Sequence, residues 1–281
     1  MQKKTTHYPP ISLAAAIYRD IESIRTQSPL IHNITNWVVM AITANALLSL
    51  GASPIMAHAK EELFDLSRKA RALVLNMGTL DSAWVEIMRA ALIHAKQFKT
   101  PVIFDPVGAG ATTYRTHVAR EFIQQIPPTV IRGNASEIIA LASSESMGTK
   151  GVDSIHSPEQ AVTVARQLVT RNPQRVIVIS GPVDICVSAD QQWHIYNGTP
   201  LMTRVTGMGC TASALIAAFC AVNPNPLAAA LHAMAVMGIA GELAEQHAQG
   251  PQSFQTLFID TLHQITEADI AEKLRVEPIQ I

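Results

Sequence analysis

The sequence contains little charge and no excess of either sign. Its 281 residues include 21 Lys and Arg against 22 Asp and Glu, which gives a formal net charge of −1 at pH 7. A protein that binds the phosphates of DNA or RNA needs a basic surface, so this balance argues against a nucleic-acid partner. With 48% hydrophobic residues, a chain of this length can bury a large core.

Cysteine is scarce, and several familiar signatures are missing. Cys186, Cys210 and Cys220 are the three cysteines, and none forms a C-x-x-C pair, which argues against a disulfide framework or a zinc site and favours a reducing cytoplasm. No apolar run reaches the roughly 18 residues of a membrane span, and the first residues contain no apolar secretion signal. A Walker A loop is also absent, which excludes nucleotide binding of the P-loop type.

Short apolar segments that end at turn residues alternate with helical patterns. The predicted buried strands are 71–78, 101–108, 129–134 and 175–181. The predicted helices near them are 81–98, 113–126 and 157–171. This alternation predicts βαβ units, and therefore an α/β fold of three layers with a mostly parallel central sheet and helices on both faces.

The second half of the chain continues this pattern. Residues 184–198 indicate an antiparallel hairpin, and two long apolar helices are expected at about 209–222 and 226–248. Nothing resembles a linker or an internal repeat. We therefore expect one domain over residues 1–281, with residues 1–11 as a flexible tail.

Residues 204–213, RVTGMGCTAS, place two glycines where the first of these long helices begins. Gly207 and Gly209 leave backbone N–H groups uncovered at the positive end of the helix dipole, which is a typical binding site for a phosphate or another anion. Cys210 lies inside this glycine segment. The same positive field is expected to lower the pKa of its thiol, so that Cys210 could serve as a base.

Polar residues follow the predicted strands, at the edge where ligands of open α/β sheets bind. Asp105 ends the second strand, and Ser180 ends the fourth. Asn134 and Glu137 follow the third strand, where they form either a helix cap or part of a site for a hydrated cation. Together with the glycine segment, these residues suit magnesium and a nucleotide polyphosphate.

Four sequence blocks resemble the hydroxyethylthiazole kinase family, within the ribokinase-like superfamily. They are HNITNWVVMAITANALLSLGASPIMAHAKEE (32–62), FDPVGAGATTYR (104–115), IRGNASEI (131–138) and VTGMGCTAS (205–213). The resemblance extends over nearly the whole chain. It implies a ribokinase-like αβα fold, cytoplasmic location, and phosphorylation of 4-methyl-5-(2-hydroxyethyl)thiazole by ATP with Mg²⁺ in thiamine salvage.

The resemblance also implies roles for individual residues. Arg132 and Ser180 match positions that contact ATP, and Ser180 stands where many members have threonine. Met56 and Gly207 match substrate-contacting positions, and Asn33 is expected near the thiazole. Asp105 and Glu137 match acidic residues associated with Mg²⁺ and the phosphates. Cys210, beside Gly209 in the anion loop, stands where sugar kinases have a catalytic aspartate.

The resemblance further implies a homotrimer whose active sites lie between subunits, so that segment 32–62 could serve a neighbour's site. Three alternatives stay open on the sequence alone. The first is a kinase of the same fold that acts on a pyrimidine alcohol, a sugar or a vitamin. The second is a cysteine hydrolase that uses Cys210 with His232 or His58. The third is a thiazole-binding protein without catalytic activity.

Overall fold

A nine-stranded sheet forms the centre of the protein. The computed structural model describes residues 12–125, 127–142 and 157–280, and the expected tail at 1–11 lies outside them. The strands are β1 (Leu30–Ile34), β2 (Ser53–Ile55), β3 (Ala72–Asn76), β4 (Val102–Asp105), β5 (Val130–Asn134), β6 (Val176–Ser180), β7 (Asp184–Val187), β8 (Gln192–Ile195) and β9 (Val276–Ile279). The predicted strands correspond to β3, β4, β5 and β6, and the predicted hairpin is β7–β8.

Helices cover both faces of this sheet. They are α1 (Leu13–Gln27), α2 (Met40–Leu50), α3 (Leu63–Lys69), α4 (Ser82–Phe98), α5 (Thr113–Gln125), α6 (Ala135–Ala140), α7 (Pro158–Arg171), α8 (Met208–Val222), α9 (Pro226–Glu245), α10 (Pro251–Gln264) and α11 (Glu267–Lys273). One apolar core contains residues of α1, α2, α8, α9, α10 and α11, and a second contains residues of α3 to α7. The three-layer prediction is therefore confirmed.

The strand order is β2-β1-β3-β4-β5-β6-β7-β8-β9. Strands β1 to β6 pair in parallel, and β7, β8 and β9 add antiparallel pairs at one edge. Because β2 and β3 lie on opposite sides of β1, the direction of winding changes between β1 and β3. In parallel sheets such a change opens a crevice at the carboxyl ends of the two strands, where ligands bind.

Helix α9 is the one described helix that is long and apolar enough to cross a membrane by length and composition. However, 83% of its most apolar window is buried inside the protein. It packs against α8 and α10. Its apolar composition is therefore that of a core helix, which is hydrophobic on all sides because it is enclosed on all sides.

Gly238 in the middle of α9 lets the chain after β8 approach the helix. A Cβ added at Gly238 would lie 2.6 Å from the carbonyl carbon and oxygen of Asn197. Both partners are backbone atoms, so neither can move away cheaply. By contrast, a Cβ at Gly250 would meet nothing within 4 Å.

We expect Gly238→Ala to lower the free energy of unfolding by about 1–3 kcal/mol, because the added methyl group overpacks a contact between two backbones. Urea unfolding followed by circular dichroism measures this change. Gly250→Ala is the matched control and should stay within about 0.5 kcal/mol of the parent. Equal stability of the two variants would contradict the close packing of α9 against Asn197.

Candidate active site

The candidate site lies at the carboxyl edge of the sheet, around the side chain of Asp105. This residue ends β4 and has no solvent exposure. Its Oδ2 accepts hydrogen bonds from Ser213 Oγ at 2.7 Å and from Asn76 Nδ2 at 3.1 Å. Its Oδ1 is buried and has no hydrogen-bond partner among the described residues. A buried carboxylate oxygen without a partner is costly, so this atom marks a place for a ligand.

The surroundings of Asp105 also change its protonation. Burial raises the pKa of its carboxyl group to about 6, the nearby positive charge of Arg132 lowers it, and the negative charge of Glu137 raises it. Arg132 Nη1 lies 3.8 Å from Asp105 Oδ2. Desolvation dominates because the carboxylate is fully enclosed, while the guanidinium stands slightly beyond hydrogen-bond distance. A cation at Oδ1 would favour the ionised form.

Arg132, Ser180 and Gly209, which the sequence assigned to nucleotide and phosphate contacts, lie together. The Nε of Arg132 donates to Ser180 Oγ at 2.9 Å. Its Nη1 lies where a Cβ of Gly209 would approach to 2.6 Å. The guanidinium of Arg132 therefore occupies the space that a side chain at position 209 would need, directly beside the start of α8.

Helix α8 begins as the glycine segment predicts. Gly207 is its N-cap, with φ of 90°, and no side chain caps the first turn. The first N–H groups of a helix have no partner within the helix, so the amides after Gly207 are available to a ligand. They lie at the positive end of the helix dipole, which faces the carboxyl edge of the sheet. An anion that binds there would also face Arg132.

Asn134 and Glu137 form a capping box at the start of α6. Asn134 Oδ1 accepts from the Glu137 amide at 2.9 Å, and Glu137 Oε2 accepts from the Asn134 amide at 2.9 Å. Glu137 Oε1 accepts from the amide of Gly108 at 2.9 Å. The cap is thus present, and both carboxylate oxygens already hold backbone amides. A cation near Glu137 would have to use the remaining lone pairs or an intervening water.

Two asparagines missed by the sequence analysis connect Asp105 to Cys210. Asn76 ends β3, and its Oδ1 accepts from Asn36 Nδ2 at 2.7 Å and from the amide of Gly78 at 2.9 Å. Asn36 follows β1, and its Nδ2 lies 3.6 Å from Cys210 Sγ. These contacts bridge the crevice between β1 and β3. The signal in the sequence was present, because both residues are polar and stand at the ends of apolar segments.

Arg115 is a third residue that the sequence pattern did not indicate. From α5 its Nη1 donates to the carbonyl oxygens of Met77 and of Val107, the latter at 2.8 Å, and its Nη2 donates to the carbonyl oxygen of Gly78. These carbonyls belong to the loops that follow β3 and β4. A single guanidinium therefore fixes the two loops that directly follow Asn76 and Asp105.

The expectation of a low thiol pKa at Cys210 is wrong. The pKa of Cys210 is raised to about 11, first by burial and then by the negative charge of Asp105, although hydrogen bonds from Asn76 and Asn36 and the charge of Arg132 act in the opposite direction. The helix start is present as predicted. The sequence could not indicate that the same position is enclosed and faces a carboxylate, which outweighs the field of the helix.

The residues assigned to the thiazole lie further apart. Gly207 packs against α2, where a Cβ would come within 2.9 Å of Val39 Cγ1. Asn33 is buried in β1, donates to the carbonyl of Ile31 at 2.9 Å, and leaves its Oδ1 without a partner among the described residues. Met56 follows β2 and is half-buried. Strands β2 and β4 are separated by three strand spacings, or roughly 14 Å. A ligand with a single small ring therefore does not contact Met56 and Asp105 of the same chain together.

The histidines proposed for a hydrolase are engaged elsewhere. His232 Nδ1 lies 2.6 Å from Asp20 Oδ2, and its ring packs against Phe219, roughly 14 Å along α8 from Cys210. The ring of His58 lies 4.7 Å from that of Trp84. Within the described residues neither histidine forms a hydrogen bond with Cys210, so the geometry argues against a Cys–His hydrolase.

A cavity of about 510 Å³ opens beside Arg132, and we call it the Arg132 cavity. Arg132, Ser180, Asp184 and Gly209 form its polar end, and its other walls combine apolar residues and glycines with Asn197, Thr199 and Thr203. Those walls are Gly181, Pro182, Asn197, Gly198, Thr199, Pro200, Met202, Thr203, Met208, Ala212, Met234, Met237 and Gly238. A phosphate-binding end joined to an apolar chamber suits a nucleotide, whose base is planar and apolar on its faces.

Comparison with known proteins agrees with this geometry. The model of the hydroxyethylthiazole kinase family matches residues 21–268. The hydroxyethylthiazole kinase of Syntrophus aciditrophicus is 52% identical over 256 residues, which cover 91% of this chain and 94% of that protein.

Solved structures agree as well. The hydroxyethylthiazole kinase of Pyrococcus horikoshii superimposes with a TM-score of 0.87 at 40% identity, over 94% of this chain and 99% of that one. A ribokinase-like superfamily protein of Enterococcus faecalis has a TM-score of 0.62 at 13% identity, over 92% of this chain and 91% of that one. At that identity the second likeness concerns the fold alone, and it supports the ribokinase-like assignment.

We expect Cys210 to react slowly with iodoacetamide at pH 7–8, because a pKa of about 11 leaves almost no thiolate at that pH. The rate should rise as the pH approaches 11. Mass spectrometry of a tryptic digest identifies the alkylated cysteine, and a short unstructured cysteine peptide is the reference. A midpoint of the rate profile below pH 8 would contradict this environment.

Proposed function

This chain belongs to the hydroxyethylthiazole kinase family, and we propose that its carboxyl-edge site transfers the γ-phosphoryl group of ATP to the hydroxyl group of 4-methyl-5-(2-hydroxyethyl)thiazole. The product is the thiazole monophosphate, in the salvage of thiamine. The observation that carries the proposal is the convergence of Arg132, Gly209 and Asp105 at the start of α8. Positive charge, open amides and a buried carboxylate meet there, which is the set of groups that phosphoryl transfer requires.

ATP is proposed to bind with its base in the Arg132 cavity and its phosphates toward α8. Arg132 and Ser180 stand between these two regions, held together by the bond from Nε to Oγ. The Nη1 of Arg132 lies near Asp105 but beyond hydrogen-bond distance, at 3.8 Å from Oδ2, so the two terminal nitrogens can donate to phosphate oxygens instead. The amides at the start of α8 would receive the oxygens of the transferred group.

Mg²⁺ fits the acidic side of the site. Asp105 Oδ1 is a buried oxygen without a partner, and the pKa of Asp105 responds to the charge of Glu137, so two carboxylates face one region. No group of three or more His, Cys, Asp or Glu side chains within the described residues is arranged to hold a metal. Mg²⁺ commonly binds through one or two carboxylates, waters and substrate phosphates, and when bound it neutralises phosphate charge. We propose Asp105 as a direct or water-mediated ligand and Glu137 as a ligand through water.

The chemistry then depends mostly on positioning. The thiazole hydroxyl oxygen forms a bond to the γ-phosphorus while the bond from that phosphorus to the β,γ-bridging oxygen breaks, and ADP leaves. In a loose transition state the hydroxyl proton leaves late and passes to an oxygen of the transferred phosphoryl group or to water, so a strong base is not required. Cys210, as a neutral thiol beside Asn36, is proposed to orient the hydroxyl group rather than to deprotonate it at the start.

The thiazole pocket is proposed to lie between subunits of a homotrimer. Trp37 and Val38, which follow β1, are 56% and 65% exposed although both are apolar. Met56 lies at the same edge, too far from Asp105 to complete a small pocket within one chain. An exposed apolar patch beside an incomplete site is typical of a subunit interface. Cytoplasmic location is also proposed, because Cys186, Cys210 and Cys220 are all free thiols.

The proposal is tested by measuring ATP consumption with MgCl₂ and one acceptor at a time: hydroxyethylthiazole, a pyrimidine alcohol, ribose or none. We expect ADP to form with the thiazole alcohol and to stay at background with the others, because the apolar residues around Met56 suit a small apolar ring. ³¹P NMR identifies the phosphate ester. Turnover with one of the other acceptors alone would make that acceptor the substrate. No turnover with any acceptor would refute the proposed kinase activity.

Variants of the glycine segment test how much each part contributes. We expect Cys210→Ser to lower kcat by only about tenfold, below the roughly 10²–10⁴-fold of general-base catalysis, because the thiol orients the hydroxyl group rather than deprotonating it. Gly209→Val should lower kcat/KM far more, because its side chain must displace the guanidinium of Arg132. Gly250→Val, at a position with free space around it, is the matched control. Complete loss of turnover in folded Cys210→Ser would make the thiol an obligatory base or nucleophile.

A further inference from the structure

One wall of the Arg132 cavity is a segment with no regular sheet or α-helical hydrogen bonds of its own. It consists of residues 197–203, between β8 and α8, and includes part of the short 3-10 helix Pro200–Arg204. Such a segment keeps its shape only if other elements hold it. The geometry of this wall therefore depends on contacts that it makes outside the cavity.

Glu242 on α9 is the main anchor of this wall. Its Oε1 accepts from the amide of Gly198 at 2.7 Å and from Asn197 Nδ2 at 3.2 Å. The Glu242 side chain is 14% exposed, so the carboxylate is largely withdrawn from water. One turn further along α9, Glu245 accepts a hydrogen bond from Thr199 Oγ1. Two carboxylates on one helix face thus hold three successive residues of the wall.

Arg275, just before β9, completes the anchor. Its Nη2 donates to Glu242 Oε1 at 2.7 Å and to the carbonyl of Tyr196 at 2.9 Å, and its amide donates to Asn197 Oδ1 at 2.8 Å. Asn197 Nδ2 also donates to the carbonyl of Lys273 at 2.7 Å. The whole side chain of Asn197 is therefore occupied by structural contacts. Arg275 lies beyond residues 21–268, which the family model matches.

We propose that Glu242 and Arg275 are positioning residues for the nucleotide, which set its affinity by holding residues 197–203 as a wall of the Arg132 cavity. The inference rests on the proposed function, in which this cavity receives ATP. Neither side chain lines the cavity, so both act through the wall. An exposed ion pair by itself contributes little to the free energy of folding. Here the pair also satisfies an amide, a carboxamide and a carbonyl of the segment that it holds.

The physical effect is a change in the population of the binding-competent wall. Without the charge of Arg275, Glu242 is a poorly neutralised carboxylate at low exposure. Without the charge of Glu242, Asn197 and Gly198 donate to a weaker common acceptor. The wall then spends less time in the shape that accepts the base. Apparent affinity falls in proportion to that lost population, whereas the groups around Asp105 and Cys210 keep their own contacts.

The experiment compares Glu242→Gln and Arg275→Met with matched controls in the full-length protein. Glu272→Gln removes an exposed carboxylate of α11, and Arg171→Met removes an exposed guanidinium at the end of α7, so each control repeats the charge change elsewhere. Isothermal titration with the non-transferable analogue AMP-PNP and MgCl₂, without acceptor, gives Kd. Steady-state assays give KM for ATP and for the thiazole, and thermal unfolding gives Tm.

For both variants we expect Kd for the analogue and KM for ATP to rise about fivefold to tenfold, with the thiazole KM within about twofold of the parent. The controls should match the parent. Arg275→Lys should restore part of the affinity, because an ammonium group retains the charge. Unchanged Kd in both variants, or a parallel rise of both KM values with a lower Tm, would overturn the positioning role. Failure of the parent protein to bind the analogue would instead refute the proposed nucleotide site.

Discussion

The site depends on a carboxylate that has no contact with water. Asp105 is enclosed at the end of β4, and its charge is tolerated only because Ser213 and Asn76 donate to one oxygen and Arg132 stands near it. Burial of a charge is expensive unless hydrogen bonds and an opposite charge compensate it. The same enclosure leaves Oδ1 without a hydrogen-bond partner among the described residues, which is the observation behind the proposed Mg²⁺ site. The negative charge of Asp105 also adds to the effect of burial in raising the pKa of Cys210.

The surrounding architecture provides these groups from separate parts of the chain. Strands β1, β3, β4, β5 and β6 end at one edge, and each brings one or two polar residues to it. Helix α8 packs on one face of the sheet, and the uncapped amides of its first turn lie at the same edge. Gly209 makes this convergence possible, since any side chain there would meet the guanidinium of Arg132. The proposed phosphate site thus depends on the close approach of a backbone segment and a side chain rather than on one loop.

The sequence was most informative where local pattern and tertiary structure agree. Strands β3 to β6 are continuous apolar segments because both of their faces are covered, and such segments are visible without knowledge of the fold. Strands β1, β2 and β9 were missed. The residues of β2 and β9 are partly exposed and lack that pattern, and β1 is buried but its apolar segment is interrupted by His32 and Asn33. Among the candidate site residues, Asp105 and Ser180 were named because they stand at the carboxyl ends of predicted strands, and Arg132 was named because of the family resemblance. Asn36 and Asn76 also stand at the ends of apolar segments, but their contacts with each other, with Asp105 and with Cys210 cross the sheet edge and cannot be inferred from spacing along the chain. The same holds for the contacts of Arg115.

By itself, the sequence determined the α/β class, the edge at which the polar residues gather and the helix start at Gly207, because each of these follows from local periodicity or from glycine. Four sequence blocks also determined the family. Only the tertiary structure decided the electrostatics, because a pKa depends on what encloses a group in three dimensions: a thiol expected to be acidic has a pKa of about 11 beside Asp105. It also decided that Glu137 is a cap with both oxygens in use, and that Glu242 and Arg275 hold a wall of the cavity from 33 positions apart in the chain.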